Sequence, residues 1–266
     1  AIAFTKGPGL LGSLLVGTSF AKSLSLALNI PLLDVHHMKA HIHAHFIKEK
    51  DAENSFPNFP FLCLTVSGGH TQIVKVQSPL KMKVLGSTID DAVGEAFDKA
   101  GKAMGLGYPA GPIIDKLAQK GDVSKYTFSF PKAGGLNYSF SGLKTQFLNF
   151  LNKQKLKDNL FLEKEINHVC ASYQSHLIKY LIKNLEKAIK DHPCNDIALA
   201  GGVAANSELR KQINSFGQKI NCNIHIPKIE FCTDNAAMIA ISGYFMEKEK
   251  LFTDLSVCAS ARINMD

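Results

Sequence analysis

Several things are missing from this 266-residue sequence. Its six cysteines (Cys63, Cys170, Cys194, Cys222, Cys232, Cys258) include no C-x-x-C pair. That argues against a disulfide framework or a cysteine-built zinc cluster and for reduced thiols in a cytoplasmic protein. The longest charge-free stretch near the start, Gly7 to Ala21, carries four glycines and a proline. It falls short of the roughly 20 apolar residues of a membrane span, so no membrane partner is expected. The start also lacks the basic segment and small-residue cleavage site of a signal peptide. There is no internal repeat and no low-complexity segment. The first residue is Ala1 rather than Met, and the chain opens within a strand-like pattern, so residues preceding Ala1 are expected.

The composition itself is ordinary for a globular protein, with 45% hydrophobic and 20% charged residues. The length suffices for one large domain or two lobes with a real core. A formal net charge of +7 and a pI near 9.0 favour a polyanionic partner such as nucleic acid.

Five of the ten histidines fall between Val35 and His45. On a helix over about 36–48, residues four apart share a face. His37 and His41 then lie one turn apart and can grip one metal ion, as does the equally spaced pair His41 and His45. The zinc peptidases use this spacing with a Glu directly after the first His as general base. Here that residue is Met38. The run reads as a metal pair without a protease base, or as a polar helix face. Asp234, at the start of a helix of small and apolar residues from Ala236, is either a helix-start carboxylate or a third ligand.

Elsewhere the pattern alternates strands and helices. Strands are predicted at 1–5, 31–35, 61–66, 71–76, 84–88, 196–200 and 224–226. Helices are predicted at 10–27, from Asp90 as N-cap to Met104, from Ile113, over 163–190, and from Asn206 to about Phe216. Asp51 to Pro60 reads as a loop. Ser67-Gly68-Gly69 joins two strands as a hairpin turn whose bare N–H groups suit a phosphate. Gly201-Gly202 links a buried strand to a helix start, a layout that holds a phosphate or an adenosine. Asn206 is a helix cap or a ligand contact. Cys232 reads as packed rather than catalytic.

Seven motifs occur in order. They are H-H-M-x-x-H (36–41), V-S-G-G-H-T-Q (66–72), I-D-D-A-x-G-E-A-F-D-K (89–99), G-Y-P-x-G-P (107–112), F-S-G-L-K-T (140–145), A-G-G-V-A-A-N (200–206) and C-T-D-N-A-A-M-I-A (232–240). Together they resemble the tRNA threonylcarbamoyladenosine transferase family of the bacterial type, once labelled O-sialoglycoprotein endopeptidase. The resemblance spans almost the whole chain. It implies a two-lobed α/β fold of the actin-like ATPase/sugar kinase (ASKHA) type. Lobe one is expected over residues 1–64 with 235–266, incomplete at its N-terminus, and lobe two over 65–234.

The implied reaction transfers a threonylcarbamoyl group from threonylcarbamoyl-AMP to N6 of the adenosine 3′ of the anticodon, in tRNAs reading codons that begin with A. AMP is released. The resemblance maps metal ligands onto His37, His41 and Asp234. It maps substrate contacts onto Thr65, Val66, Ser67, Gly68, Gly69, Asp98, Gly111, Asp115 and Asn206. It implies one divalent metal, iron or alternatively zinc. It also implies three partners: tRNA, a shorter relative of the same fold (TsaB type) and a small ATPase (TsaE type). No catalytic acid or base is assigned. Lys39 stands where the family usually has Glu, and Ala110 where it has Gly. A metallopeptidase and a non-catalytic nucleotide-binding scaffold of the same fold are the alternatives.

Overall fold

The structure, a computed structural model, describes residues 1–48, 55–131 and 133–265. The strand β1 (Ile2–Gly7) leads into helix α1 (Leu11–Leu28) and strand β2 (Leu32–His36). β1 and β2 pair in parallel as a two-stranded sheet. Helix α2 (His37–His43) follows directly and tightens into a 3-10 turn over Ala44–Phe46. Strands β3 (Phe61–Val66), β4 (Thr71–Val76) and β5 (Met82–Ser87) then form an antiparallel meander.

Helices α3 (Val93–Met104), α4 (Ala110–Ala118), α5 (Ser141–Lys157) and α6 (Phe161–Asp191) come next. Strand β6 (Asp196–Ala200) passes through a 3-10 turn over Gly202–Ala205 into α7 (Ser207–Ile220). The short strand β7 (Asn223–His225), helix α8 (Ile229–Cys232) and helix α9 (Ala236–Lys248) complete the elements among the described residues. The larger sheet has the order β5-β4-β3-β6-β7, with β6 parallel to both neighbours. The expected lobe boundary at residue 64 falls inside β3, which pairs with β4 in unbroken register from Phe61 to Val66.

The period of two in a strand decides what each face of this sheet covers. Leu62, Leu64 and Val66 of β3, with Ile73, Ile197 and Leu199, join the core under α3, α5, α6 and α7. Phe61, Cys63, Val74, Val76, Ala198 and Ala200 face the other way, onto Met38 and Ile42 of α2. Every residue of β3 is buried, as expected of a central strand covered on both faces.

The helix α1 extends to Leu28, beyond the charge-free stretch that argued against a membrane span. By length and composition alone, its 18 residues at a mean hydropathy of 1.4 meet the requirement for one. In the fold it rests on the small sheet through Leu14, Thr18 and Ala21 and leaves Leu15, Val16 and Phe20 exposed.

Two local expectations change. Helix α2 is shorter than the predicted 36–48, because the backbone tightens after His43. Asp90 does not cap α3, which begins at Val93; the first N–H of that helix donates instead to the buried Thr71 hydroxyl at 2.9 Å. Asp90 is three residues too early to reach it and clamps the start of α5. Its carboxylate accepts from the Ser139 and Ser141 hydroxyls at 2.5 and 2.7 Å and from the Phe140 and Ser141 N–H groups at 2.7 and 3.3 Å. Partial burial pushes the Asp90 carboxyl up, but these donors outweigh it and hold it below the usual carboxylate range.

The Asp90→Ala protein is expected to lose about 1 kcal/mol at pH 7, a typical capping contribution reduced by solvent exposure. A carboxyl whose folded pKa is lowered contributes fully above its unfolded value and loses that contribution as pH falls through the folded one. The difference between wild type and variant in urea unfolding should therefore shrink below about pH 4. A gap that stays constant down to about pH 2 would rule out this account.

Candidate metal centre and ligand cavity

Helix α2 presents three stripes. Met38 and Ile42 pack on the sheet. Ala40 and Ala44 pack with Val35 and Met238 against α9. His37 and His41, on the third stripe, point at neither, and their rings meet edge to face with centroids 4.8 Å apart. His36 caps the helix, its Nδ1 accepting from the N–H groups of Met38 and Lys39.

Asp234 immediately precedes the N-cap of α9, where Asn235 Oδ1 accepts from Met238 N–H at 2.8 Å. The packing of α9 on α2 brings the Asp234 carboxylate to the histidine pair. Its Oδ1 lies 3.3 Å from His37 Nε2 and 3.2 Å from His41 Nε2. Hydrogen bonds from His37 and then His41 outweigh burial and hold the Asp234 carboxyl far below the usual carboxylate range.

The donor atoms of His37, His41 and Asp234 all lie within 4.8 Å of one another. A cation bonded at about 2.1 Å sets its donors roughly 3–3.5 Å apart, a spacing that Asp234 Oδ1 keeps to both imidazole nitrogens. Two imidazoles and one carboxylate suit a first-row divalent metal and leave coordination positions open. The peptidase alternative finds no base here, because the residue after His37 is Met38, buried in the core.

The competing pair His41/His45 is not formed. The 3-10 turn rotates His45 away from the line of His37 and His41, and its Nε2 meets the Leu199 carbonyl at 3.0 Å. His43 is held by the Ser242 hydroxyl at 2.8 Å and the Pro79 carbonyl at 2.7 Å. Burial pushes His36, His43 and His45 down to about 4, so each stays neutral at neutral pH. His70, in the β3–β4 turn, was not among the expected site residues. Burial and the facing His37 and His41 lower its pKa as well.

Beside this centre lies a cavity of about 380 Å³. Its lining includes five of the nine expected substrate residues: Gly68, Asp98, Gly111, Asp115 and Asn206. Thr233 also lines it and connects it through the chain to Asp234. Thr65, Val66, Ser67 and Gly69 are not in the lining. Thr65 and Val66 are buried in the sheet. Ser67 works within the turn: its hydroxyl accepts from His70 N–H at 3.1 Å and its carbonyl accepts from Gly94 N–H at 3.3 Å.

That contact explains one glycine. A Cβ on Gly94 would lie 2.6 Å from the Ser67 carbonyl oxygen, so only glycine lets α3 meet the turn. Gly201 is similarly constrained, with φ of +91° and a virtual Cβ 2.4 Å from the Val66 carbonyl oxygen.

The two cavity carboxylates each serve a helix start. Asp98 accepts from the Ala110 N–H, the first of α4, at 2.8 Å. Asp115 accepts from the Ser207 N–H, the first of α7, at 2.9 Å. Asn206 is both cap and cavity residue: its Oδ1 accepts from Leu209 N–H at 2.9 Å while its Nδ2 donates to Gln174 at 2.8 Å. Gln174 and Thr233 lie outside the expected site residues. Thr233 was within reach as the neighbour of Asp234, whereas Gln174 is hidden in the apolar stripe of α6. Cys232 is packed as expected. Burial pushes its thiol up while Arg210, donating to its Sγ at 3.1 Å, works against that.

The family model described as tRNA N6-adenosine threonylcarbamoyltransferase matches residues 1–241. A protein of that name from Christiangramia forsetii is 56% identical over 262 residues, covering 98% of this chain and 76% of the relative. One from Riemerella anatipestifer is 53% identical over 266 residues, covering 100% and 77%. Among solved structures, HypF from T. kodakarensis superposes with a TM-score of 0.64 at 15% identity, over 92% of this chain and 40% of HypF. A full-length HypF in phosphate- and nucleotide-bound form gives 0.61 at 12% identity, over 86% and 38%. At such identities these two structures speak for the fold alone. The fold is the expected α/β one of the ASKHA type.

Metal analysis of purified protein is expected to find about one divalent ion per chain, and His37→Ala or Asp234→Ala protein to lose it. His45→Ala should keep the metal and instead lose about 1–2 kcal/mol of stability, the cost of an abandoned buried carbonyl. Metal loss in His45→Ala with retention in His37→Ala would reverse the assignment.

Proposed function

Because this chain belongs to the tRNA N6-adenosine threonylcarbamoyltransferase family, we propose that it carries out that acyl transfer on tRNA. The threonylcarbamoyl group moves from threonylcarbamoyl-AMP to N6 of the adenosine 3′ of the anticodon, in tRNAs reading codons that begin with A. The amine nitrogen forms the new C–N bond, the anhydride C–O bond breaks, AMP leaves with that electron pair, and the amine loses a proton. The observation that carries this reading is the contiguity of two features. A cavity large enough for a nucleotide shares the Thr233-Asp234 segment with a two-histidine, one-carboxylate cluster.

Each part has a role in this reading. His37, His41 and Asp234 hold the divalent metal, iron or alternatively zinc. The chemistry it supplies when bound is Lewis acidity toward the carbamoyl oxygen of an already activated acyl group. Gly68 and Gly202 let the nucleotide approach the backbone. Asp98, Asp115 and Asn206 offer polar contacts for the ribose and the amino-acid end. The Ser67–Gly69 turn lies against the start of α3 and reaches the cavity through Gly68.

Two surfaces support the partners. Lys153, Lys155 and Lys157 are carried on α5 and, with the net charge of +7, suit a polyanion such as tRNA. The exposed Leu15, Val16 and Phe20 of α1 suit a protein partner, here the shorter relative of the same fold (TsaB type), with a small ATPase (TsaE type) completing the assembly. The two sheets support a division into two lobes, one around β1, α1, β2 and α9 and one on the five-stranded sheet. A cytoplasmic location fits a tRNA substrate and six unpaired thiols.

The test is nucleoside analysis of tRNA after incubation with the protein, its partners and threonylcarbamoyl-AMP. Wild type is expected to convert the adenosine. His37→Ala and Asp234→Ala should fall by roughly 100-fold or more while keeping wild-type circular dichroism. Unmodified tRNA with wild type would overturn the function, and full modification by either variant would overturn the metal's part in it.

A further inference from the structure

Gln174 is a polar side chain in an apolar place. It lies in α6 among Cys170, Tyr173 and Leu177, and it is 3% exposed. A carboxamide withdrawn from water costs stability unless its hydrogen bonds are made, and here they are. Its Nε2 donates to Asp115 Oδ1 at 3.0 Å, and its Oε1 accepts from Asn206 Nδ2 at 2.8 Å.

The direction of this chain of bonds is determined at both ends. At one end, the Leu209 N–H can only donate. It occupies Asn206 Oδ1 and turns Asn206 Nδ2 toward Gln174. At the other end, the Asp115 carboxylate accepts from the Ser207 hydroxyl at 2.8 Å and from the Ser207 N–H at 2.9 Å, besides Gln174. One buried amide thus joins α4, α6 and the N-terminus of α7, and its two partners both line the cavity.

We propose that Gln174 is a positioning residue for the nucleotide, holding Asp115 and Asn206 in their binding rotamers before the adenylate arrives. This rests on the reading of the cavity as the adenylate site. Gln174 touches neither the cavity nor the cluster of His37, His41 and Asp234. Its contribution therefore falls on adenylate binding and not on the transfer step. The requirement is for a donor facing Asp115 and an acceptor facing Asn206, which glutamine meets and glutamate does not. An acid at 174 would set a second carboxylate against Asp115 Oδ1.

The test is a double-mutant cycle in the full chain with its partners, reading KM for threonylcarbamoyl-AMP, kcat, and the Kd of AMP by calorimetry. Gln174→Glu is expected to raise KM and Kd about tenfold, a coupling of the size seen within one hydrogen-bond network, with kcat changed less than about twofold. Asp115→Asn restores a donor opposite the acid. In that background Gln174→Glu should change KM less than about threefold. Gln174→Met removes both bonds without adding charge and should also raise KM, which keeps the test open if the glutamate variant does not fold.

The proposal is overturned by unchanged KM in a folded Gln174→Glu or Gln174→Met protein, by equal effects of Gln174→Glu in the wild-type and Asp115→Asn backgrounds, or by a loss confined to kcat. Failure of the function reading is distinct: wild type itself would then neither turn over the adenylate nor bind AMP.

Discussion

The site depends on the burial of α2 between the five-stranded sheet and α9. A seven-residue helix has no stability of its own in water, so its orientation is imposed by what it buries. Met38 and Ile42, four residues apart, are both withdrawn into the sheet, a gain of about 1.5–3 kcal/mol for each side chain. Ala40 and Ala44 are small enough to let α9 approach on a second side. The remaining stripe carries His37 and His41. The approach of α9 that covers the alanines also delivers Asp234 from the turn before its first residue. One packing event therefore assembles all three donors.

The cavity follows a second rule, that the free N–H groups at helix starts need acceptors. Asp98 and Asp115 meet that need for α4 and α7, and Asn206 caps α7 from within. The polar groups available to a ligand are the same ones that fix the walls. Their positions are set by backbone geometry rather than by flexible side chains alone, and the buried Gln174 ties two of them together. Gly94 and Gly201 permit the close backbone contacts that bring the walls together.

Much of this was legible in the residues. The alternation of strands and helices, the buried stripe of α3 and the hairpin around Ser67-Gly68-Gly69 follow from periods of two and 3.6 and from turn chemistry. The histidine spacing pointed to a metal pair. What spacing did not decide was which pair, since His37/His41 and His41/His45 are equivalent on an ideal helix. Nor did it distinguish the caps. Asp90 stands where an N-cap belongs, yet it serves a helix that begins about fifty residues later in the chain.

The sequence by itself determined the element order, the stripes each element must bury and the types of residue available for chemistry, because these rest on local periodicity and on side-chain chemistry. The tertiary structure decided which histidines meet a carboxylate. A change from α to 3-10 geometry after His43 turns His45 to the Leu199 carbonyl, and α9 packs where Asp234 can reach only the first two. It also decided that Gln174 faces Asp115 and Asn206, partners 59 and 32 residues distant in the chain. Such contacts come from the packing of whole elements, whose geometry is not carried by any local stretch of residues.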